Sequence, residues 1–593
     1  MKPLDNKITG CQFFSIFGLF FVGLIFFSVI LSLLKLFYIP LIFLYIIPSV
    51  AIIAYLGYKN KIQFEISRQL LAIILMSVGF ILLFSIFNTP TIFSGRDQGS
   101  YSEAAIRLAQ NHKLEFSTPA SREFLKIYGD GEALNFPGFN YTQNGNLITH
   151  FPTGYISWLA IFYSIFGLNG LIIANAVAFF IFLLSFYFLS RIYLDKMPAF
   201  FSFFLILTSF IFSWFFKFTL SENLALAIIF FGLLQFTLYL KNNKASYLYS
   251  SLFSFYILLF IKIEALAFLA VVTIILYLKS KNEKNIRTYF NDKKVIAVSA
   301  VLTAIYFWNI FQNFAYYKIF AKGLRHSFLP GSVAASEAPL NFFQSFYYTF
   351  EILNIYGLTV YIIIGIMAFA YFLKKKKYDL LMPFFIVLPG FIYLLQPSVS
   401  ADHPWMLRRF VFSIIPICIL YSVIFLDKFF VKKYLFYILC SLLLLSNLII
   451  FIPYLTISEN KDMLEQIQSL SQNFKDNDLV FIDQKATGDG FSMMTGPMSF
   501  LYNKQAVYFI NPADVEKIDR SRFSHIYFII PDDNLILYKN SGLISRLSSV
   551  KDYQIETSRL NTRIGKKSEL YSQLIELPIE KDITVSGKIY ILK

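Results

Sequence analysis

The chain has 593 residues, 57% of them hydrophobic and 15% charged, and Phe alone occurs 71 times. That composition excludes an ordinary soluble enzyme and places the chain among polytopic membrane proteins. The formal net charge of +16 would suggest nucleic acid in a soluble chain. Here Lys and Arg gather in short connections between apolar runs, so topology accounts for them and no nucleic-acid partner is expected.

The first apolar run, about 12–34, is too long for a signal-peptide core and lacks a small-residue cleavage site, so it reads as a retained anchor. Further runs of span length follow at about 38–57, 69–88, 168–190, 198–216, 222–240, 246–261, 264–279, 294–315, 354–373, 379–396, 408–426 and 432–453. A span needs about 20 apolar residues, which predicts about thirteen membrane helices, with the short 246–261 and 264–279 segments open to being broken helices. Cys11, Cys418 and Cys440 all lie inside these runs. The polar loops therefore carry no disulfide framework and no Cys-based zinc site.

The positive-inside rule sets the orientation. With Lys2 and Lys7 inside, the inside connections hold Lys59, Lys61 and Arg68; Arg191 and Lys196; Lys241 and Lys244; the cluster Lys279 to Lys294; Lys374 to Lys377; and Lys428, Lys432 and Lys433. The short outside connections hold single lysines, Lys35, Lys217 and Lys262. This predicts a multi-pass cell-membrane protein with a cytoplasmic N-terminus. The segment 152–166, after Pro152, is expected to lie along the outer interface. Trp158, Trp214, Trp308 and Trp405 then fall on the outer side, as an aromatic belt does.

Two domains follow: a membrane domain over 1–454, with a long outer loop at 89–167 and a second at about 316–353, and an extracytoplasmic domain over 455–593. In the latter, "DLVFID" and "HIYFIIPDDN" are strand-like and "DMLEQIQSLSQNF" is helical, which predicts a small α/β unit with a partly parallel sheet.

Ionisable residues at membrane depth are functional candidates, and five groups stand on the outer side. Arg96 and Asp97 open "SGRDQGSYSEAAIRLAQ" at 94–110. Ser100 and Glu103 have capping-box spacing there, which leaves Asp97 free. His150 precedes the Phe-Pro that starts the interfacial helix. Glu222, in "KFTLSENLAL", suits a helix N-terminus that Ser221 caps. Lys262 and Glu264 interrupt the apolar stretch "FIKIEALAF" and read as a snorkelling pair. "SADHPWMLRRFVFSIIP" brings Asp402, His403, Arg408 and Arg409 to the outer start of a span. Topology disfavours two arginines there, and the guanidinium fork suits phosphate oxygens. No Walker A loop occurs, so any substrate is already in the membrane or outside it.

In their order and topological side, the first-loop acid, "HFPTGYISWLAIFYSIFG", "SENLAL", "KIEALAFLA" and "DHPWMLRRF" resemble the GT-C superfamily of integral-membrane glycosyltransferases. The similarity covers roughly 69–425, and the branch it resembles holds protein O-mannosyltransferases and lipid A aminoarabinose transferases. It implies a polytopic α-helical GT-C-like fold and transfer of a sugar from a polyprenyl-phosphate carrier to a glycan, lipid or protein acceptor. It implies Asp97 as general base and Glu222 as second acid. It also implies a cationic clamp on the leaving phosphate, from Arg408 and Arg409 with His403 and Lys262. Arg96 and His150 would support these groups. A divalent cation between the acids stays open, since some branches hold one and others do not. The competing classes are a transporter or lipid-carrier flippase, which would favour charges at mid-membrane, and a non-catalytic scaffold.

Overall fold

The computed structural model describes residues 7–61, 63–282, 292–314, 317–318, 342–395, 402–562 and 575–593. Lys2, most of the basic cluster at 279–294 and most of the expected loop at 316–353 lie outside the described residues.

In hydrocarbon every backbone N–H and C=O must find its partner within the segment, so the long apolar runs fold as helices. In chain order these begin with α1 (Gly10–Leu33), α2 (Ile39–Lys59) and α3 (Arg68–Ile86). Next come α4 (Asp97–Asn111), α5 (Pro119–Tyr128), α6 (Thr153–Phe166) and α7 (Asn169–Tyr193). They are followed by α8 (Lys196–Thr208), α9 (Phe210–Phe216), α10 (Ser221–Asn242), α11 (Ala245–Leu258) and α12 (Ala265–Asn282). Among the described residues seven helices are long and apolar enough to cross a membrane, or ten when three bent pairs each count as one span. The bends are 52° between α8 and α9, 112° between Phe346–Ile355 and Thr359–Lys374, and 57° between Trp405–Val411 and Ile414–Phe429.

The expected thirteen is therefore higher than length and composition support here. The run 246–261 yields only the 14 residues of α11. The run 379–396 breaks into Tyr378–Val387 and Ile392–Leu395, with Pro389 and Gly390 between them.

α10 is the hub. It is apolar on all sides and buried from Ser221 through Tyr239, as expected of a helix enclosed by other helices. α7 and α11 pack along it. α6 departs from the interfacial expectation. Residues 153–162 are all buried, and the helix packs against α1, α4 and α7. The aromatic-belt expectation also fails for three tryptophans. Trp158, Trp214 and Trp405 are buried inside the protein, and the Trp158 indole donates to the Ala174 carbonyl at 3.1 Å. Trp308 alone of the four is exposed.

The segment between α3 and α7 is folded. It carries α4, α5, α6 and an antiparallel hairpin of β3 (Phe139–Tyr141) and β4 (Leu147–Thr149), which a two-stranded parallel pair, β1 (Lys7–Thr9) and β2 (Gln63–Glu65), precedes in the chain.

The C-terminal region holds a five-stranded mixed sheet in the order β6-β5-β7-β9-β8. β5 (Leu479–Ile482) pairs in parallel with β6 (Gln505–Tyr508) and β7 (Ile526–Pro531), while β9 (Glu580–Leu592) runs antiparallel to both β7 and β8 (Leu547–Leu560). β5 is buried throughout, and its Phe481 stacks on Phe528 of β7 at 5.0 Å. This sheet sits on the α4–α5 segment. Asn135 donates to the Tyr508 carbonyl at 2.6 Å, Arg522 pairs with Glu123 at 2.8 Å, and Arg107 donates to Ser499 at 2.7 Å.

Candidate active site

Four ion pairs form one charged cluster at the end of the helical bundle that carries the C-terminal sheet. Arg408 pairs with Asp97 at 2.5 Å, Arg96 with Asp402 at 2.6 Å, Lys262 with Glu222 at 2.7 Å and Arg409 with Glu264 at 3.4 Å. Every member sits where a helix starts, bends or turns. Asp97 and Glu222 occupy the first turns of α4 and α10, where the helix dipole favours a carboxylate. Lys262 and Glu264 lie in the turn between α11 and α12. Arg408 and Arg409 begin the short helix before the 57° bend.

Hydroxyl groups hold the two acidic helix starts together. The Tyr101 hydroxyl donates to Ser221 at 3.1 Å, and Thr219 donates to the Gln98 carbonyl at 2.8 Å. Ser102 and Thr219 also share a hydrogen bond of 2.7 Å.

The acids differ in access. Glu222 is 2% exposed and enclosed with Lys262. The Asp97 side chain is 40% exposed, the most open carboxylate of the four. Burial would raise the Asp97 pKa, but Arg408, bonded to it, holds the carboxyl below the usual carboxylate range despite the opposing charge of Glu222. Burial likewise lowers the pKa of His150, against the pull of Asp97 and Glu132, so its imidazole is neutral. The His150 ring lies against Phe151, with centroids 4.4 Å apart. His403 is buried, and its Nδ1 shares a 3.1 Å hydrogen bond with the Tyr356 hydroxyl.

Three local expectations need correction. α4 begins at Asp97, three residues before the expected cap, and its N-cap is Arg96 with no side-chain cap bond. Ser100 instead donates to the Pro137 carbonyl at 3.2 Å, and Glu103 pairs with Arg107 at 3.5 Å within the helix. Ser221 does not cap α10 either, since it is the first helical residue and follows Leu220. Lys262 and Glu264 do not snorkel as a pair; each reaches a different partner.

Sequence reasoning missed two contributors, Tyr393 and Phe491, and the partner of a third residue it had named, Asp402. Tyr393 donates to Glu264, and the Arg409 guanidinium lies 5.6 Å from the centre of its ring. Asp402 is the acceptor for Arg96. Phe491, from the C-terminal region, stacks on Arg96. A lone Tyr or Phe in a chain this aromatic carries no signal of its own.

Beside the cluster an apolar groove of about 700 Å³ opens between Ala267, Phe268, Phe346, Ile366 and the 388–394 segment. Its polar end is Glu264 and Tyr393, both in contact with Arg409. A divalent cation finds no prepared set of ligands. Among the described residues no three His, Cys, Asp or Glu side chains converge, and each of the four acids already has a cationic partner.

No protein-family model and no curated protein matches the sequence. Solved structures do match. ArnT from Cupriavidus metallidurans in the apo state superposes with a TM-score of 0.50 at 9% identity, over 86% of this chain and 97% of that one. The same protein bound to undecaprenyl phosphate gives 0.48 with the same identity and coverage. The Archaeoglobus fulgidus oligosaccharyltransferase in the apo form gives 0.49 at 14% identity, over 74% of this chain; the chain spans 64% of that protein's length. The fold of this chain is thus similar to that of ArnT from Cupriavidus metallidurans.

Proposed function

We propose that the protein transfers a sugar from a polyprenyl-phosphate donor to an acceptor hydroxyl on the extracytoplasmic side. The observation that carries this reading is the pairing of an accessible acid, Asp97, with Arg408, next to Arg409, whose partners Glu264 and Tyr393 form the polar end of an apolar groove. ArnT, whose fold this chain shares, is known bound to undecaprenyl phosphate.

The chemistry follows from the pairs. The prenyl tail lies in the groove along Phe268, Phe346 and Ile366, and its phosphate reaches Arg409, Arg408 and Lys262. The acceptor hydroxyl gives its proton to a carboxylate oxygen of Asp97, and its oxygen attacks the anomeric carbon. The bond from that carbon to the phosphate oxygen breaks, and the arginines stabilise the charge left on the phosphate. Glu222, buried on Lys262, acts as the counter-ion that fixes that lysine. His150 is near enough to Asp97 to feel its charge, and His403 is held by the Tyr356 hydroxyl. The positive-inside pattern supports an N-terminus in the cytoplasm and a region 455–593 outside, above a membrane domain over 1–454. The acceptor class, whether glycan, lipid or protein, is the variable to screen.

The test uses the purified full chain in nanodiscs with a panel of labelled polyprenyl-phosphate sugars. Wild type transfers one of them. Asp97→Asn retains the fold, and its turnover falls by about 10²- to 10⁴-fold, the usual worth of a general base. Wild-type turnover in Asp97→Asn would remove Asp97 from the role of base.

A further inference from the structure

We infer that the loop 489–493 of the C-terminal region is part of the catalytic apparatus, with Phe491 acting through Arg96 as a positioning residue for Asp97. This rests on the proposed transfer reaction.

The contacts run residue by residue through "SGRD". Ser94 and Met493 form an antiparallel bridge, each amide donating to the other's carbonyl at 3.0 and 2.8 Å. Gly95 has φ +106°, and a Cβ there would strike the Gly490 carbonyl and crowd the Met493 side chain. Only glycine allows the two backbones to come this close. The Arg96 guanidinium lies between the rings of Trp405, at 4.6 Å, and Phe491, at 4.2 Å, while its Nη2 donates to Asp402 at 2.6 Å. The guanidinium charge is drawn to the negative face of each ring. Arg96 is also the N-cap of α4, and the next residue is Asp97. The three groups that hold the Arg96 side chain therefore also fix where Asp97 starts.

The loop that supplies Phe491 is itself rigidly tied to the sheet. Asp489 accepts from the amides of Phe491 and Ser492 at 2.9 and 3.0 Å. It also pairs with Arg559 of β8 at 3.2 Å. Arg559, 4% exposed, donates in addition to Asn460 at 2.6 Å, and Thr487 donates to the Ser492 carbonyl at 2.8 Å. A continuous path of bonded groups thus runs from β8 through Arg559, Asp489 and Phe491 to Arg96. On the membrane side the same arginine is tied to the segment 402–405, which leads directly into Arg408 and Arg409. Arg96 joins the C-terminal sheet to both halves of the site.

Removing the Phe491 ring frees one face of Arg96 and lets the start of α4 drift. A displacement near 1 Å at a reacting group costs about 100-fold in rate. The experiment compares wild type, Phe491→Ala and Phe491→Trp as full chains in nanodiscs, by hydrogen exchange and by transfer kinetics. In Phe491→Ala, exchange is expected to quicken at residues 94–98 and stay unchanged in α7 and α10. Turnover falls about 10- to 100-fold with the donor KM unchanged, and Phe491→Trp recovers both readouts. Unchanged exchange at 94–98 in Phe491→Ala overturns the inference, as does unchanged turnover in an active protein or a rise in donor KM alone. If exchange responds as expected while wild type transfers none of the polyprenyl-phosphate sugars, the transfer reading fails and the positioning contact stands.

Discussion

The Glu222–Lys262 pair offers the sharpest test of the charged cluster. The two side chains are 3% and 9% exposed and meet at 2.7 Å, and the lysine Nζ also lies 5.3 Å from the Phe412 ring centre. Truncating one partner of so buried a pair leaves a charge without water and without its bonded counter-ion, at a cost of about 3–5 kcal/mol. Replacing both partners by neutral groups of similar size removes the uncompensated charge and is often close to neutral in stability. Lys262→Met is therefore expected to lose about 3–5 kcal/mol, and Glu222→Gln with Lys262→Met to regain most of that. The measurement is reversible unfolding by SDS in mixed micelles for wild type, both single variants and the double variant, closed as a double-mutant cycle. A Lys262→Met variant within about 1 kcal/mol of wild type, with no recovery in the double variant, would show that the pair is solvated. It would also refute the assignment of Glu222 as a buried counter-ion.

Two further outcomes follow from the remaining pairs. Arg409→Gln, read by titrating undecaprenyl phosphate in nanodiscs, is expected to weaken binding by about 10- to 100-fold, the worth of a hydrogen bond to a charged group; unchanged affinity would separate the groove from the cluster. In the pH profile of transfer, the acid limb of kcat/KM belongs to the free enzyme. Asp97 there has its pKa held low by Arg408, so kcat/KM stays flat down to the ordinary carboxylate range of about 4 and falls only below it. An inflection at pH 6–7 would point to a histidine base instead. His150 contributes to stability with a matching sign. Its folded pKa is depressed, so its contribution is present above the unfolded value of about 6.5 and is lost as pH falls through the folded one.

Much of the membrane architecture was legible because hydrocarbon leaves a chain so few options. Runs such as 12–34 and 222–240 had to be helices, and α1 and α10 occupy them. The expected thirteen is not reached among the described residues, where the runs 246–261 and 379–396 yield only short helices. A 20-residue window also does not register the breaks around Ser209, Gly357 and Phe412–Ser413 that bend three spans. The misplacement of α6 and of three tryptophans has another cause. Apolar residues at an apparent interface look the same in sequence whether lipid or protein covers them, and in α6 protein covers the first ten residues.

The site was legible as a set of residues but not as pairs. Asp97, Glu222, Lys262, Arg408 and Arg409 stand out because charge beside apolar runs is costly. Their partners are separated by 311 positions for Asp97–Arg408 and 306 for Arg96–Asp402, distances over which spacing carries no information. The C-terminal contribution was illegible for a further reason. Phe491 and Met493 act through a ring face and a backbone bridge, and neither leaves a polar mark in "GDGFSMM".

The pairing itself sets the order of events under the proposed reaction. Four acids and four bases leave the cluster neutral at rest, and Arg408 is spent on Asp97. A donor phosphate therefore enters by exchange. Under the proposed reaction it takes the guanidinium fork, which pairs with phosphate oxygens as it does with a carboxylate, and releases the Asp97 carboxylate. Once Arg408 turns toward the phosphate, Asp97 loses the larger of the two cationic charges, Arg408 and Arg409, that hold its pKa down. Burial and the neighbouring Glu222 then push that pKa upward. The acid becomes a stronger base only when the leaving group is in place. Donor binding thus precedes proton abstraction, and an acceptor hydroxyl, or a water in its place, meets a weak base until then. The resting salt bridge is in this sense a guard against hydrolysis as well as a store of position, and Arg96, held by Asp402, Trp405 and Phe491, keeps α4 still while Arg408 changes partner.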